Sequence, residues 1–228
     1  MNAVSDHISS IKISMLSRLA EIIHGDVKPQ NVLMDLVGNR IVTAKVADFG
    51  YSRAYLSSED KLAVARTTPW CAPEVAERAD GYLSHEAERT DIYSFGMLCL
   101  WMIFANELAN HFGVNQDMTD FSTADTKDQH LCFTKINKLK EEDRLRLICR
   151  GLTLNLPLEP GQKVSLTKVF DSSISRDPLH RTLNMRRIRA LLDESLSDPS
   201  AFPADMIPTL HNEKVDMKEH QDFQVLVH

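Results

Sequence analysis

The stretch "HGDVKPQNVLM", residues 24–34, sets Asp26, Lys28 and Asn31 close together. A carboxylate can accept a hydroxyl proton, and an ammonium is a mobile point charge for a phosphate. An amide oxygen is a hard donor of the kind that suits Mg²⁺, and a second such donor, Asp48, closes the run "RIVTAKVAD". Taken singly, each of these residues reads as a turn residue or strand cap. Taken together, they are parts for handling a hydroxyl proton and a metal-bound phosphate.

The elements around them explain how they could meet. "NVLMDL" and "RIVTAKVAD" alternate as strands about "VGN", a hairpin signal. Antiparallel pairing about Gly38 and Asn39 brings Asn31, opening one strand, beside Asp48, closing the other. Asp26 lies just outside the same end. Gly25 and Pro29 break any helix in "HGDVKPQ", whereas Ile8, Ile11, Met15, Leu19 and Ile22 form one apolar helix stripe over residues 1–23.

Downstream, residues 51–71 are polar and aperiodic, and read as a loop ending at "TTPWCAPEV". A helical turn is predicted at 75–80, and Asp91 is read as the start of a buried helix. Its apolar run "IYSFGMLCLWMIFA" (92–105) is too short and interrupted for a membrane span. Residues 113–130 read as a polar surface insertion. "FTKINKLKEEDRLRLICRGL" and "VSLTKVFDSSI" each predict a helix, and "RDPLHRTLNMRRIRALLDESL" a turn and a last amphipathic helix. From 195 to 228, Pro199, Pro203 and Pro208 in polar filler predict a disordered tail.

Composition narrows the function. The 228 residues are 43% hydrophobic and 25% charged, ordinary for a globular protein, with a net charge of −6. That charge argues against nucleic acid as a partner, because no basic excess exists to neutralise phosphates. Cys71, Cys99, Cys132 and Cys149 form no C-x-x-C pair and predict buried reduced thiols. No signal peptide or transmembrane segment is expected, which predicts a cytoplasmic or nuclear protein with no membrane partner.

"HGDVKPQN", "DFG" at 48–50, "APE" at 72–74 and "DIYSFG" at 91–96 together resemble the large lobe of a eukaryotic-type protein kinase, over about residues 8–194. The resemblance implies a mainly α fold with a small β-hairpin: an α+β, kinase-like C-terminal lobe spanning 1–194, without the β-rich N-terminal lobe. It implies ATP and Mg²⁺ as cofactors. Asp26 would orient the substrate hydroxyl and take its proton, and Lys28 would approach the transferred phosphate. Asn31 and Asp48 would hold the metal, while Phe49 packs inward and Gly50 turns the chain. His24 would be a packed hydrogen-bonding support. Glu74 would pair with Arg181 of "RDPLHR", and Asp91 would accept backbone N–H bonds from the catalytic loop, a role compatible with an N-cap. Lys28 and Thr67 resemble the serine/threonine branch, in which the threonine contacts the aspartate and lysine.

Three departures qualify the resemblance. Gly25 replaces the arginine of H-R-D, which in the family pairs with a loop phosphate, so control through Ser57, Ser58, Thr67 or Thr68 is expected to be weak or absent. Arg66 stands where a glycine usually precedes the threonine. "HGD" also occurs in aminoglycoside and choline phosphotransferases, but "DFG" with "APE" favours the protein-kinase branch. Finally, no two glycines lie close enough for a G-x-G-x-x-G loop, and 23 residues before His24 leave no room for a small lobe. Tight ATP binding and turnover by these residues alone are therefore not expected. The functional expectation is a Ser/Thr kinase lobe acting on a protein substrate. The alternative is a kinase-derived scaffold that docks a partner through the apolar face left bare.

Overall fold

The computed structural model describes residues 22–37, 40–54, 61–78, 80–114, 126–182 and 184–196. Two small antiparallel sheets sit at one end of a helical body. Strand β1 (Ile22–Ile23) pairs with β4 (Arg53–Ala54), and β2 (Val32–Val37) with β3 (Arg40–Val46). The body comprises α1 (Pro73–Glu77), α2 (Ser84–His111), α3 (Thr126–Glu141), α4 (Leu145–Asn155), α5 (Pro160–Ser173) and α6 (Met185–Leu196). The mainly α architecture with a β-hairpin is the one the sequence predicts.

The hairpin runs Val32↔Val46 to Val37↔Arg40, with an irregularity at Asp35/Leu36. Its turn, Gly38 and Asn39, lies outside the described residues. Pro29 opens a 3₁₀ turn over Pro29–Asn31, where its fixed φ fits and its missing N–H costs nothing. Asn31 therefore enters β2 from a rigid corner.

Helix α2 is the axis of the body. From Thr90 to Trp101 every residue is buried, the mark of a helix surrounded by protein. It starts at Ser84, where the Glu86 carboxylate accepts the Leu83 N–H at 2.8 Å. Asp91 is therefore an interior residue, not the helix start or an N-cap. Apolar counting missed the first two turns because their residues are polar. The full 28-residue helix is long and apolar enough to cross a membrane, which corrects the shorter reading, but 78% of its most apolar window is buried inside this fold.

Helix α5 packs the Ser173 side chain against Gly96 of α2. A Cβ placed on Gly96 would lie 2.3 Å from Ser173 Oγ, so only glycine fits there. Helices α4 and α6 pack on α5, closing a core that includes Phe104, Phe170, Ile188 and Leu192.

Other boundaries shift. Ile22 and Ile23 are strand rather than the end of a helix, because β4 offers them a partner; the rest of the 1–23 stripe lies outside the described residues. The 51–71 loop includes the two-residue strand β4. The predicted 133–152 helix is two helices, divided where Asp143 adopts φ 54°, a conformation Asp tolerates better than most residues. The insertion predicted at 113–130 gives way to α3 from Thr126, and 115–125 lie outside the described residues. Helix α6 runs to Leu196, so the tail boundary moves past 195; residues 197–228 are likewise not described.

Candidate active site

Ala47 N–H donates to the Asn31 carbonyl at 2.8 Å, closing the open end of the hairpin. This bond puts Asn31 and the following Asp48 at adjacent strand ends. The Asn31 side-chain N–H₂ donates to the Asp26 carbonyl at 2.8 Å and to Asp26 Oδ2 at 3.3 Å. With its nitrogen committed to Asp26, the amide keeps its oxygen as the atom that could serve a cation.

Asp48 has φ 61°, a left-handed backbone uncommon for a non-glycine residue. Its Oδ1 accepts the Gly50 N–H at 3.3 Å, and the carboxylate is solvent-exposed. One neutral and one anionic oxygen donor thus stand at neighbouring strand ends, a donor set that fits Mg²⁺ with phosphate and water completing its shell.

Asp26 is buried and held from several sides. Lys28 Nζ lies 2.5 Å from its Oδ2, and the Thr67 hydroxyl donates to its Oδ1 at 2.8 Å. The loop after "DFG" thus returns through Thr67 to the residue that "HGD" supplies. A second tie joins the same two segments, Ala65 N–H to Gly25 O at 2.8 Å.

His24 is fully buried. Its Nδ1 accepts the Asp26 N–H at 3.3 Å and its Nε2 donates to Ala47 O at 3.0 Å, which defines the neutral Nε2–H tautomer. Burial lowers its pKa, agreeing with that neutral form. The ring therefore braces the His24–Asn31 loop against the strand leading to Asp48.

Asp91 anchors the loop from below. Its two oxygens accept the His24 N–H at 2.6 Å and the Gly25 N–H at 2.8 Å. Burial raises this carboxyl to about 7, against the pull of the two N–H donors. Gly25 itself has φ +78°, and a Cβ there would sit 3.1 Å from Tyr51 Cβ. The position of the absent arginine is one where a side chain meets both strain and crowding.

Phe49 does not pack inward. The residue remains 53% exposed, its ring touching the His24 ring at 5.2 Å between centroids. Glu74 and Arg181 meet as a two-bond fork of 2.6 and 2.8 Å, and the Arg181 guanidinium also donates to the carbonyls of Ser175, Arg89 and Arg176. That fork ties the "APE" segment to the turn before α6.

Two further groups at the site were not singled out from the sequence. Ser52 Oγ donates to His24 O at 3.0 Å. Lys140 is buried and donates to Pro69 O at 2.7 Å and Cys71 O at 2.6 Å. The signal for Lys140 was its position: with Phe133 and Ile136 it occupies the inward stripe of α3, where a lysine is out of place.

Fold and site together define the large lobe of a protein kinase. The chain belongs to the protein kinase domain family, whose model matches residues 15–186. Similar proteins from Arabidopsis thaliana include leaf rust 10 disease-resistance locus receptor-like protein kinase-like 2.3, 31% identical over 161 residues, covering 66% of this chain and 25% of that protein. Receptor protein-tyrosine kinase CEPR2 is 29% identical over 165 residues, covering 66% of this chain and 16% of that protein. A third, named a probable LRR receptor-like serine/threonine-protein kinase, is 38% identical over 97 residues, covering 42% of this chain and 8% of that protein. The matched region thus spans a quarter or less of the length of these relatives.

Proposed function

We propose that the chain is the large lobe of a serine/threonine protein kinase, supplying the proton-handling and metal-holding groups for transfer of the ATP γ-phosphate to a protein hydroxyl. The observation that carries this reading is the setting of Asp26: one buried carboxylate within hydrogen-bond reach of Lys28, Asn31 and Thr67. Asp26 orients the incoming hydroxyl and accepts its proton as transfer proceeds. Lys28, 2.5 Å from Asp26, is placed to swing its charge onto the transferred phosphate. Thr67 fixes the other carboxylate oxygen and links proton acceptor to peptide-binding loop; Thr67 with Lys28 supports the Ser/Thr branch. Mg²⁺ bound by Asn31 and Asp48 would neutralise phosphate charge.

The 228 residues contain no glycine-rich phosphate loop, and such electrostatic positioning provides most of phosphoryl-transfer catalysis. Turnover therefore requires small-lobe groups supplied from outside them. The exposed Ile22, Leu33, Phe49 and Tyr51, all on or beside the strands, support an apolar contact at that end, whether with a small lobe or with a scaffold's partner. Four unpaired buried cysteines support a cytoplasmic or nuclear setting. The test is a thermal-shift and transfer assay on the purified chain with Mg·ATP. Neither shift nor transfer is expected; turnover by the chain alone that disappears in Asp48→Ala would overturn the requirement for a small lobe.

A further inference from the structure

Lys140 is a buried ammonium with no carboxylate in hydrogen-bond contact among the described residues. It enters from the last turn of α3 and bridges Pro69 O and Cys71 O, the carbonyls on either side of Trp70. Its Nζ lies 5.2 Å from the centre of the Tyr93 ring, and the Arg181 guanidinium lies 4.7 Å from the same ring. Phe133, two turns earlier on α3, meets Trp70 edge-on at 5.8 Å, and Trp101 closes the aromatic cluster. Helix α3 thus grips the segment between Thr67 and Ala72 twice, by an aromatic contact and by a cation.

That segment starts at Thr67, which touches Asp26, and ends at the Glu74–Arg181 fork. Both ends are fixed by side chains already described. Its middle has Cys71 N–H to Thr67 O at 2.9 Å, and Lys140 as the donor to its inward carbonyls. We propose that Lys140 is a positioning residue that holds the peptide-substrate loop, Thr67–Ala72, in its binding shape from the distal helix α3. The proposal rests on the kinase reading for what the loop binds, but not for how the loop is held.

Removing the donor leaves two carbonyls facing a dry interior, whereas a neutral amine still carries N–H groups for both. Burial lowers the Lys140 pKa to about 8. Opening the loop returns the amine to water, where it keeps its proton to higher pH, so the closed form gains as pH rises above about 8. The other groups facing it do not reproduce this trend. Glu74 and Arg181 are locked together, and Tyr93 is raised by burial. Cys71, also raised by burial, favours opening in alkali and so acts in the opposite direction.

Hydrogen exchange of the purified chain, read by mass spectrometry and divided by the intrinsic rates, tests the proposal without ATP or transfer. Lys140→Met should raise exchange in residues 66–73 about tenfold while α5 and α6 keep their protection. In the wild type, protection of the same segment should rise about fivefold between pH 8 and 9, and in Lys140→Met it should not. Unchanged loop exchange in the variant, an equal rise in every helix, or a pH trend that survives the substitution would each overturn it. Failure of transfer by the chain completed with a small lobe would remove the kinase reading and leave this result standing.

Discussion

The Thr67 hydroxyl donates to Asp26 Oδ1 at 2.8 Å, joining two segments 41 residues apart in sequence at the carboxylate proposed to take the substrate proton. Thr67→Val keeps the shape and removes the donor. The buried Asp26 oxygen then loses a partner, at about 1–3 kcal/mol, which urea unfolding would read. Thr67→Ser should recover most of that loss, and an unaltered midpoint in Thr67→Val would show the bond to be incidental.

The fork between Glu74 and Arg181 carries an asymmetric expectation. Arg181→Met strands the Glu74 carboxylate and takes donors from three carbonyls, so about 3–5 kcal/mol of stability should be lost. Glu74→Gln leaves an acceptor for the guanidinium and should cost less, about 1–3 kcal/mol. Equal losses from the two variants would contradict the assignment of Arg181 as the hub.

Asp91 provides a pH test. Its folded pKa, about 7, lies above the usual carboxylate value, so the folded state holds a proton that the unfolded chain releases. The contribution of this carboxyl is therefore full below about pH 4 and is lost as pH rises towards about 7. Burial of His24 gives the opposite slope in the same range, so the informative quantity is wild type minus Asp91→Asn. Asp91→Asn should cost more near pH 4 than near pH 7. A cost that grows with pH would mean that the charge, not the buried carboxyl, is what holds the His24 and Gly25 amides.

Gly25 bears on regulation. Its φ of +78° and the closeness of Tyr51 predict that Gly25→Arg destabilises the chain, by about 1–2 kcal/mol from the backbone alone. Acidic replacements at Ser57 or Ser58 should not change activity of a completed kinase, because no arginine waits at position 25. A manyfold activation by either would refute this.

The shape of the His24–Asn31 loop and the hairpin were legible because their signals are local: alternation, a turn dipeptide, and a proline that fixes one corner. Asn31 and Asp48 could be placed together from pairing alone. The burial of α2 could be read from its composition, but not its start, since Ser84–Thr90 are mostly polar and carry no apolar stripe. The outward Phe49 was misread because what covers an aromatic ring depends on neighbours outside the local sequence. Lys140 was missed for a related reason. A lysine in an apolar stripe looks like a surface charge until two loop carbonyls, 69 and 71 residues away in sequence, are brought to it.

The most direct test of the central claim is phosphate transfer from ATP to serine, threonine and tyrosine peptides by this chain fused to a protein-kinase small lobe. Labelled serine or threonine is expected, tyrosine is not, and Asp26→Asn should lower the rate about 10²–10⁴-fold while nucleotide binding is kept. Transfer that is indifferent to Asp26→Asn would contradict the account.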